Sequence, residues 1–342
     1  MDTIKTERTK CSSLVVRSLA CRATTVADKQ SFPAALERPG PILIDGGLAT
    51  QCESMGCDIA GDLWSAVLLQ SSPRAVIDAH RAFLDAGADI IITASYQASH
   101  IGFMARGLSG ARADALILSS VTLAAQARQE FLQDNPRTSR RPMIAASIGP
   151  FGAALHDGSE YTGRYAVSAA ELEDFHADRL GLLDASEADL LACETIPSLS
   201  EAKVLAELLR SAKTPAWISF ACRDDECIGD GTRLIEAASV FTDHPRVLAV
   251  GVNCTAPQHI LSLIGQIRTA VPDKAIVVYP NSGETYNVAD NSWRGEMNLE
   301  DWVTAAHAWA TAGAKLIGGC CRVGAEQIRE LAEGIAGRNT RR

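Results

Sequence analysis

Eight short apolar runs, each followed by a longer segment of helical period, constrain this chain more than any other feature of its sequence. The runs span residues 42–45, 89–93, 143–147, 189–193, 216–220, 247–252, 275–279 and 315–318. They carry Ile, Val, Leu or Ala at successive rather than alternate positions, as strands covered on both faces must. The intervening segments carry helix punctuation. Ser72-Pro73 reads as an N-cap followed by proline at the first helical position, and Ser198 with Glu201 as a capping box. Gly87 and Gly313 stand where C-cap glycines belong, and Ile328, Leu331, Ala332 and Ile335 form one apolar stripe. Eight successive βα units predict an α/β protein: a single-domain (β/α)8 TIM barrel.

A length of 342 residues would also accommodate two domains, but no linker interrupts residues 40–337. Residues 1–35 differ from the rest: Lys5, Arg8, Lys10, Arg17, Arg22 and Lys29 sit among Ser and Thr, with only Asp2, Glu7 and Asp28 as acids. They read as a disordered N-terminal extension, with an organellar transit segment as the alternative, and residues 36–342 as the barrel domain. The stretch 337–342 reads as a frayed end. With 47% hydrophobic and 21% charged residues, the composition is globular. A net charge of −9 lacks the basic footprint of a nucleic-acid partner. The longest uncharged interior stretch, 247–267, is broken by Asn253, Pro257, Gln258 and His259, so no membrane span is expected. Ten cysteines are too few for a disulfide scaffold, and no apolar leader precedes them. A cytoplasmic, reducing location is expected, with thiols free or metal-bound.

The connections following strands are long at 46–72, 149–168 and 281–298, so chemistry is expected at the C-terminal ends of the strands. Cys254 closes Gly251-Val252-Asn253-Cys254 just past the sixth run, and Cys320 with Cys321 close Gly318-Gly319-Cys320-Cys321 just past the eighth. Neighbouring strand residues point to opposite faces, so two adjacent ligands require a kink, which Gly318 and Gly319 would permit. Three thiolates suit zinc and leave its fourth position open, as in catalytic sites. Spacing alone leaves the set open between a zinc site and free thiols, because a vicinal pair is not C-x-x-C. Cys52, Cys57, Cys193, Cys222 and Cys227 read as small buried apolar residues. His259, the histidine nearest Cys254, is assigned to the following helix.

Seven motifs, each at an expected strand end, together carry a resemblance. They are Asp45-Gly46-Gly47, Thr93-Ala94-Ser95-Tyr96-Gln97-Ala98, Ser147-Ile148-Gly149-Pro150, Ala192-Cys193-Glu194-Thr195, Gly251-Val252-Asn253-Cys254, Tyr279-Pro280-Asn281-Ser282-Gly283-Glu284 and Gly318-Gly319-Cys320-Cys321. In this order, over residues 40–337, the chain resembles the homocysteine S-methyltransferase family. Within it, the stand-alone enzymes that use S-methylmethionine are more similar than the betaine- or cobalamin-dependent ones.

The resemblance implies Zn2+ held by Cys254, Cys320 and Cys321, with the homocysteine sulfur entering the open position as thiolate. It implies a methyl transfer from S-methylmethionine, with S-adenosylmethionine or betaine as alternative donors and selenohomocysteine or selenocysteine as alternative acceptors. It also implies that Asp45 and Glu194 place the amino-acid portion of homocysteine, since carboxylates accept charge-assisted hydrogen bonds from an ammonium group. Asp45 reads equally as a turn residue before Gly46 and Gly47, whose amides are candidates for the substrate carboxylate. Thr93, Ser95 and Tyr96 are candidate pocket residues, with core packing the other reading of Tyr96; Trp64 and Asn253 are further candidates. Gln97 stands where betaine-dependent relatives carry an aromatic residue. Asn281, Ser282 and Glu284 begin a loop read as a lid or donor contact. No domain is expected after residue 337 to carry a corrinoid. A zinc hydrolase on the same fold would want histidine ligands, and none of the seven histidines ends an expected strand. A Cys320–Cys321 disulfide would inactivate the site.

Overall fold

The structure, a computed structural model, describes residues 31–59, 64–283, 285–287, 292–294 and 299–339. Residues 1–30 of the expected extension, the Trp64 side chain, Glu284 and residues 340–342 lie outside the described residues.

Eight parallel strands close a barrel: β1 (Ile42–Leu43), β2 (Ile90–Ile92), β3 (Met143–Ile148), β4 (Leu190–Ile196), β5 (Ala216–Phe220), β6 (Val247–Asn253), β7 (Ala275–Tyr279) and β10 (Ala314–Ile317). An antiparallel hairpin, β8 (Thr285–Asn287) and β9 (Ser292–Arg294), stands in the 281–298 connection that the sequence reads only as a loop. The sheet order is β1-β10-β7-β6-β5-β4-β3-β2. An Ile44–Ile90 bridge, with the Asp45 amide donating to the Ile90 carbonyl at 3.0 Å, closes the ring. The helices are α1 (Phe32–Leu36), α2 (Leu48–Ser54), α3 (Leu68–Ser71), α4 (Pro73–Ala86), α5 (His100–Ala105), α6 (Gly110–Asp134), α7 (Ala169–Asp184), α8 (Leu199–Arg210), α9 (Leu234–Ser239), α10 (Ile260–Ala270), α11 (Leu299–Ala312) and α12 (Ala325–Asn339). No helix among the described residues is long and apolar enough to cross a membrane.

The barrel expectation holds, with informative shifts. Strand β4 runs three residues past its expected end, so Glu194 lies within the strand. Helix α1 overlaps the end of the expected extension, yet Phe32 and Ala35 are fully buried, and the Phe32 ring packs edge-on against Trp217 as part of the barrel interior. Helix α12 continues to Asn339, past the expected fray point. Gly87, at φ 114°, caps α4 as expected, whereas the Ser72 side chain makes no cap hydrogen bond.

Strand periodicity sorts the side chains. Ala145, Ala192, Trp217, Ala249 and Val277 point into the barrel, while Leu191, Cys193, Ile218 and Phe220 join the layer between sheet and helices. Two residues on, the inward positions become polar: Ser147, Glu194, Ser219 and Tyr279. An apolar interior is thus topped by a polar layer at the C-terminal ends of the strands, which is where a site can form.

A buried charged network braces one side of that mouth. The Ser198 side chain caps α8 as expected, but the Glu201 carboxylate does not return to close a capping box. It accepts instead from the Phe151 amide at 2.6 Å, from His176 Nε2 at 2.8 Å and from the Tyr165 hydroxyl. Arg179 donates to the Gly149 carbonyl at 2.6 Å and to His176 Nδ1 at 3.2 Å. Burial lowers the Arg179 guanidinium to about 10, so it stays charged at neutral pH. Removing one partner of a buried charge set strands the other, so Glu201→Ala is expected to cost about 3–5 kcal/mol, measured by denaturant unfolding.

Candidate functional site

The thiol cluster is assembled by the segment that leaves β7. The Cys254 amide donates to the Tyr279 carbonyl at 3.3 Å, the Cys320 amide to Pro280 at 2.8 Å, and the Ser282 amide to Cys321 at 3.1 Å. Because β7 lies between β6 and β10, this segment ties both cysteine-bearing ends together. The glycines before Cys320 act differently from the expected kink. Neither has a positive φ; a Cβ at Gly318 would lie 2.7 Å from the Asp45 carbonyl oxygen, and one at Gly319 would lie 2.2 Å from Val323 Cγ1. They are needed for close approach. The strained turn falls on Cys254 itself, at φ 47°, and on Arg322, at φ 64°.

The three sulfur atoms lie within 4.8 Å of one another and form the one such cluster among the described residues. Cys254 Sγ is 3.5 Å and Cys320 Sγ 4.0 Å from Cys321 Sγ. Cys254 and Cys320 are joined as a disulfide, in place of the free or metal-bound thiols expected from the sequence. Their Cα atoms, 5.5 Å apart across two strand ends, fit the ordinary span of a disulfide. Cys321 is free, and burial pushes its thiol up to about 11. In their reduced form the three soft donors fit a divalent zinc-type ion, which would stabilise the thiolates that burial disfavours. His259 ends the short Pro257–His259 turn before α10 and is not in the cluster. Among the other cysteines, Cys52 and Cys193 are buried as expected, whereas Cys57, Cys222 and Cys227 are half-buried.

Asp45 and Glu194 are both buried beside this cluster. Asp45 Oδ2 accepts the Ile92 amide at 2.8 Å, but Oδ1 has no hydrogen-bond partner. Burial first, and the Glu194 charge further down, hold the Asp45 carboxyl well above its usual range. Glu194 accepts from the Ser147 hydroxyl and, at 3.0 Å, from the Tyr279 hydroxyl; burial raises it to about 7. The next residue, Thr195, sits at φ 61°, a costly conformation for a β-branched side chain. Asn253 holds it there: its Oδ1 accepts the Thr195 amide and its Nδ2 donates to Thr195 Oγ1, both at 2.7 Å.

Other expected pocket residues also brace the mouth. Asn253 binds Thr195 and Ser219, and its Nδ2 also lies 4.0 Å from Cys320 Sγ. Thr93 and Ser95, 2.7 Å apart, fasten β2 to β3 through the Ser147 amide and carbonyl. The Gly47 amide is taken by the Val323 carbonyl at 2.8 Å, and a Cβ at Gly46 would lie 2.2 Å from that same oxygen. Tyr96 packs against Gly149. Asn281 donates its amide to Thr255 at 3.1 Å, and Gln97 reaches the Ala153 carbonyl at 3.4 Å. The sequence reading assigns no role to Ser147, Ser219, Tyr279, Tyr161 or Glu160, although Ser147 and Tyr279 stand in its motifs. The first three carry a signal, a polar group two residues beyond an inward apolar one, while the last two sit in the long 149–168 connection with no spacing to mark them.

Comparison with known proteins agrees with this geometry. Residues 42–335 match the family model described as homocysteine S-methyltransferase. The chain is 48% identical to homocysteine S-methyltransferase YbgG of Bacillus subtilis, over 85% of this chain and 93% of that one. Among solved structures it is similar to the metallated form of the homocysteine methyltransferase MmuM from Escherichia coli. That match has a TM-score of 0.78 and 41% identity, over 87% of this chain and 98% of that one. It is also similar to the oxidized form of MmuM, with a TM-score of 0.76 and 41% identity over 85% and 94% of the respective chains. A match across the whole barrel, converging on a three-cysteine mouth, leaves one conclusion: the chain belongs to the homocysteine S-methyltransferase family.

Proposed function

We propose that the chain transfers a methyl group from S-methylmethionine to L-homocysteine, forming methionine, with Zn2+ held by the reduced Cys254, Cys320 and Cys321. The observation that carries this is the convergence of three sulfurs within 4.8 Å, with no fourth His, Cys, Asp or Glu in the cluster among the described residues. When bound, the metal supplies an open position that keeps an incoming thiol as its nucleophilic thiolate at neutral pH.

The protein's own residues hold the acceptor. Asp45 offers the unpartnered Oδ1 and Glu194 its buried carboxylate to the homocysteine ammonium. Ser147 and Tyr279 orient Glu194, and Asn253 holds the Thr195 turn. The acceptor sulfur pair forms the new bond to carbon as the donor C–S bond breaks, its electrons passing to the donor sulfur. The leaving group is already a neutral thioether and requires no proton. Alignment of the two sulfurs with the methyl carbon is then the main catalytic contribution.

The test measures methionine formation from homocysteine with S-methylmethionine, S-adenosylmethionine or betaine, after reduction and zinc loading. S-methylmethionine is expected to give the highest kcat/KM, and chelation to abolish turnover, with zinc restoring it. Equal rates with betaine, or turnover unaffected by chelation, would remove the donor and the metal from this reading respectively.

A further inference from the structure

Glu160 belongs to the short turn Ser159–Tyr161, in the connection between β3 and α7. It is only 7% exposed, and its Oε2 has no hydrogen-bond partner. A buried, half-satisfied carboxylate is costly unless a ligand completes it. The turn itself is pinned. A Cβ at Gly152 would lie 2.5 Å from the Glu160 amide nitrogen, and one at Gly229 would lie 2.4 Å from the Tyr161 carbonyl oxygen. The backbone carrying Glu160 is therefore wedged between the connections that follow β3 and β5.

The turn that carries it packs against β4, the strand that holds Glu194. The next residue is Tyr161, and the Glu160 charge acts on Tyr96, Tyr161 and Cys321 alike. Asp45 and Glu194 belong to the strand ends and are engaged at the acceptor. Glu160 sits farther out along the chain's path, on a connection, with two tyrosines near it. A carboxylate with aromatic neighbours suits an onium ion.

We propose that Glu160 is the specificity-determining residue for the methyl donor, receiving the positive charge of the sulfonium and so discriminating it from neutral thioethers. This rests on the donor reading above. The sulfonium charge disappears as the methyl group leaves, so Glu160 holds the bound donor more strongly than the transition state. Its loss therefore raises the donor KM without lowering kcat.

The test uses the full-length, zinc-loaded, reduced protein. Calorimetric titration without homocysteine compares S-methylmethionine with a neutral isostere in which carbon replaces the sulfonium sulfur, for wild type, Glu160→Gln and Glu160→Asp. Steady-state KM and kcat are measured alongside. In Glu160→Gln, sulfonium affinity is expected to fall about tenfold, the size of one charged contact, with isostere affinity, homocysteine KM and zinc content unchanged. Glu160→Asp, which keeps the charge, is expected to recover most of the loss. Unchanged sulfonium binding in Glu160→Gln, equal weakening of both ligands, or a fall in kcat at constant KM would overturn the assignment of Glu160 while leaving the donor in place. Wild-type protein that binds no sulfonium would instead overturn the donor reading beneath it.

Discussion

Replacing Cys321 with alanine is expected to reduce bound zinc from about one per chain to near zero, and methyl transfer by about a thousandfold or more. Two of the three sulfurs would remain, and a two-thiolate remnant does not make the three-ligand set of a catalytic zinc site. Thiolate activation by a metal is worth several kcal/mol, and about 4 kcal/mol corresponds to a thousandfold in rate. Folding should survive: Cys321 lies on the loop after β10, and the main-chain bond it accepts from Ser282 does not involve its side chain. Metal analysis, an activity assay and circular dichroism on the same preparation check all three points. Full zinc in the variant, or undiminished transfer, would exclude Cys321 as a ligand.

The second large effect is expected at Glu194. In the free protein burial raises this carboxyl to about 7, so near neutral pH it is partly protonated. A bound ammonium group favours the charged form. Homocysteine affinity should therefore fall as pH drops below 7 and level off above it. Glu194→Gln keeps partners for Ser147 and Tyr279 but carries no charge, so it should raise the homocysteine KM about ten- to a hundredfold, the worth of a hydrogen bond to a charged group. Asp45 faces the same site and keeps some affinity in the variant. The variant's KM should also lose its rise below pH 7, and that flattening separates the carboxylate from the thiol, whose own titration remains. Stability changes the opposite way. A carboxyl raised in the fold contributes most below its ordinary range and loses that contribution as pH rises through 7. Glu194→Gln should therefore narrow the stability difference between pH 5 and pH 8 in denaturant unfolding. An unchanged KM profile would remove Glu194 from substrate binding.

Glu194 was legible as a candidate because an acid at the end of an apolar strand is expensive without a partner, whereas Asp45 read equally as a turn residue and owed its candidacy to the resemblance. Cys254, Cys320 and Cys321 were legible for a related reason, as thiols placed where parallel strands release the chain. Thr93, Ser95 and Asn253 were candidates by position, and each also fastens neighbouring strand ends, because a hydroxyl or amide there serves a neighbouring strand as well as it serves a ligand. Glu201 was legible as half of a cap, but its side chain found Phe151, His176 and Tyr165, partners that only tertiary packing supplies. The β8–β9 hairpin, three residues to a strand, carries too little periodicity to stand out from a loop.

The sequence by itself determined the barrel, through eight doubly apolar strands separated by helical periods, and it located the chemistry at one end through the long connections there. Those features are local, set by side-chain type and spacing. Only the tertiary structure decided which polar groups face one another. It placed the Asp45 carbonyl against Gly318, closed Cys254 onto Cys320 rather than Cys320 onto Cys321, and left one oxygen each of Asp45 and Glu160 without a partner. Such pairings depend on the register and curvature of strands far apart in the chain, where a shift of one residue turns every side chain to the other face.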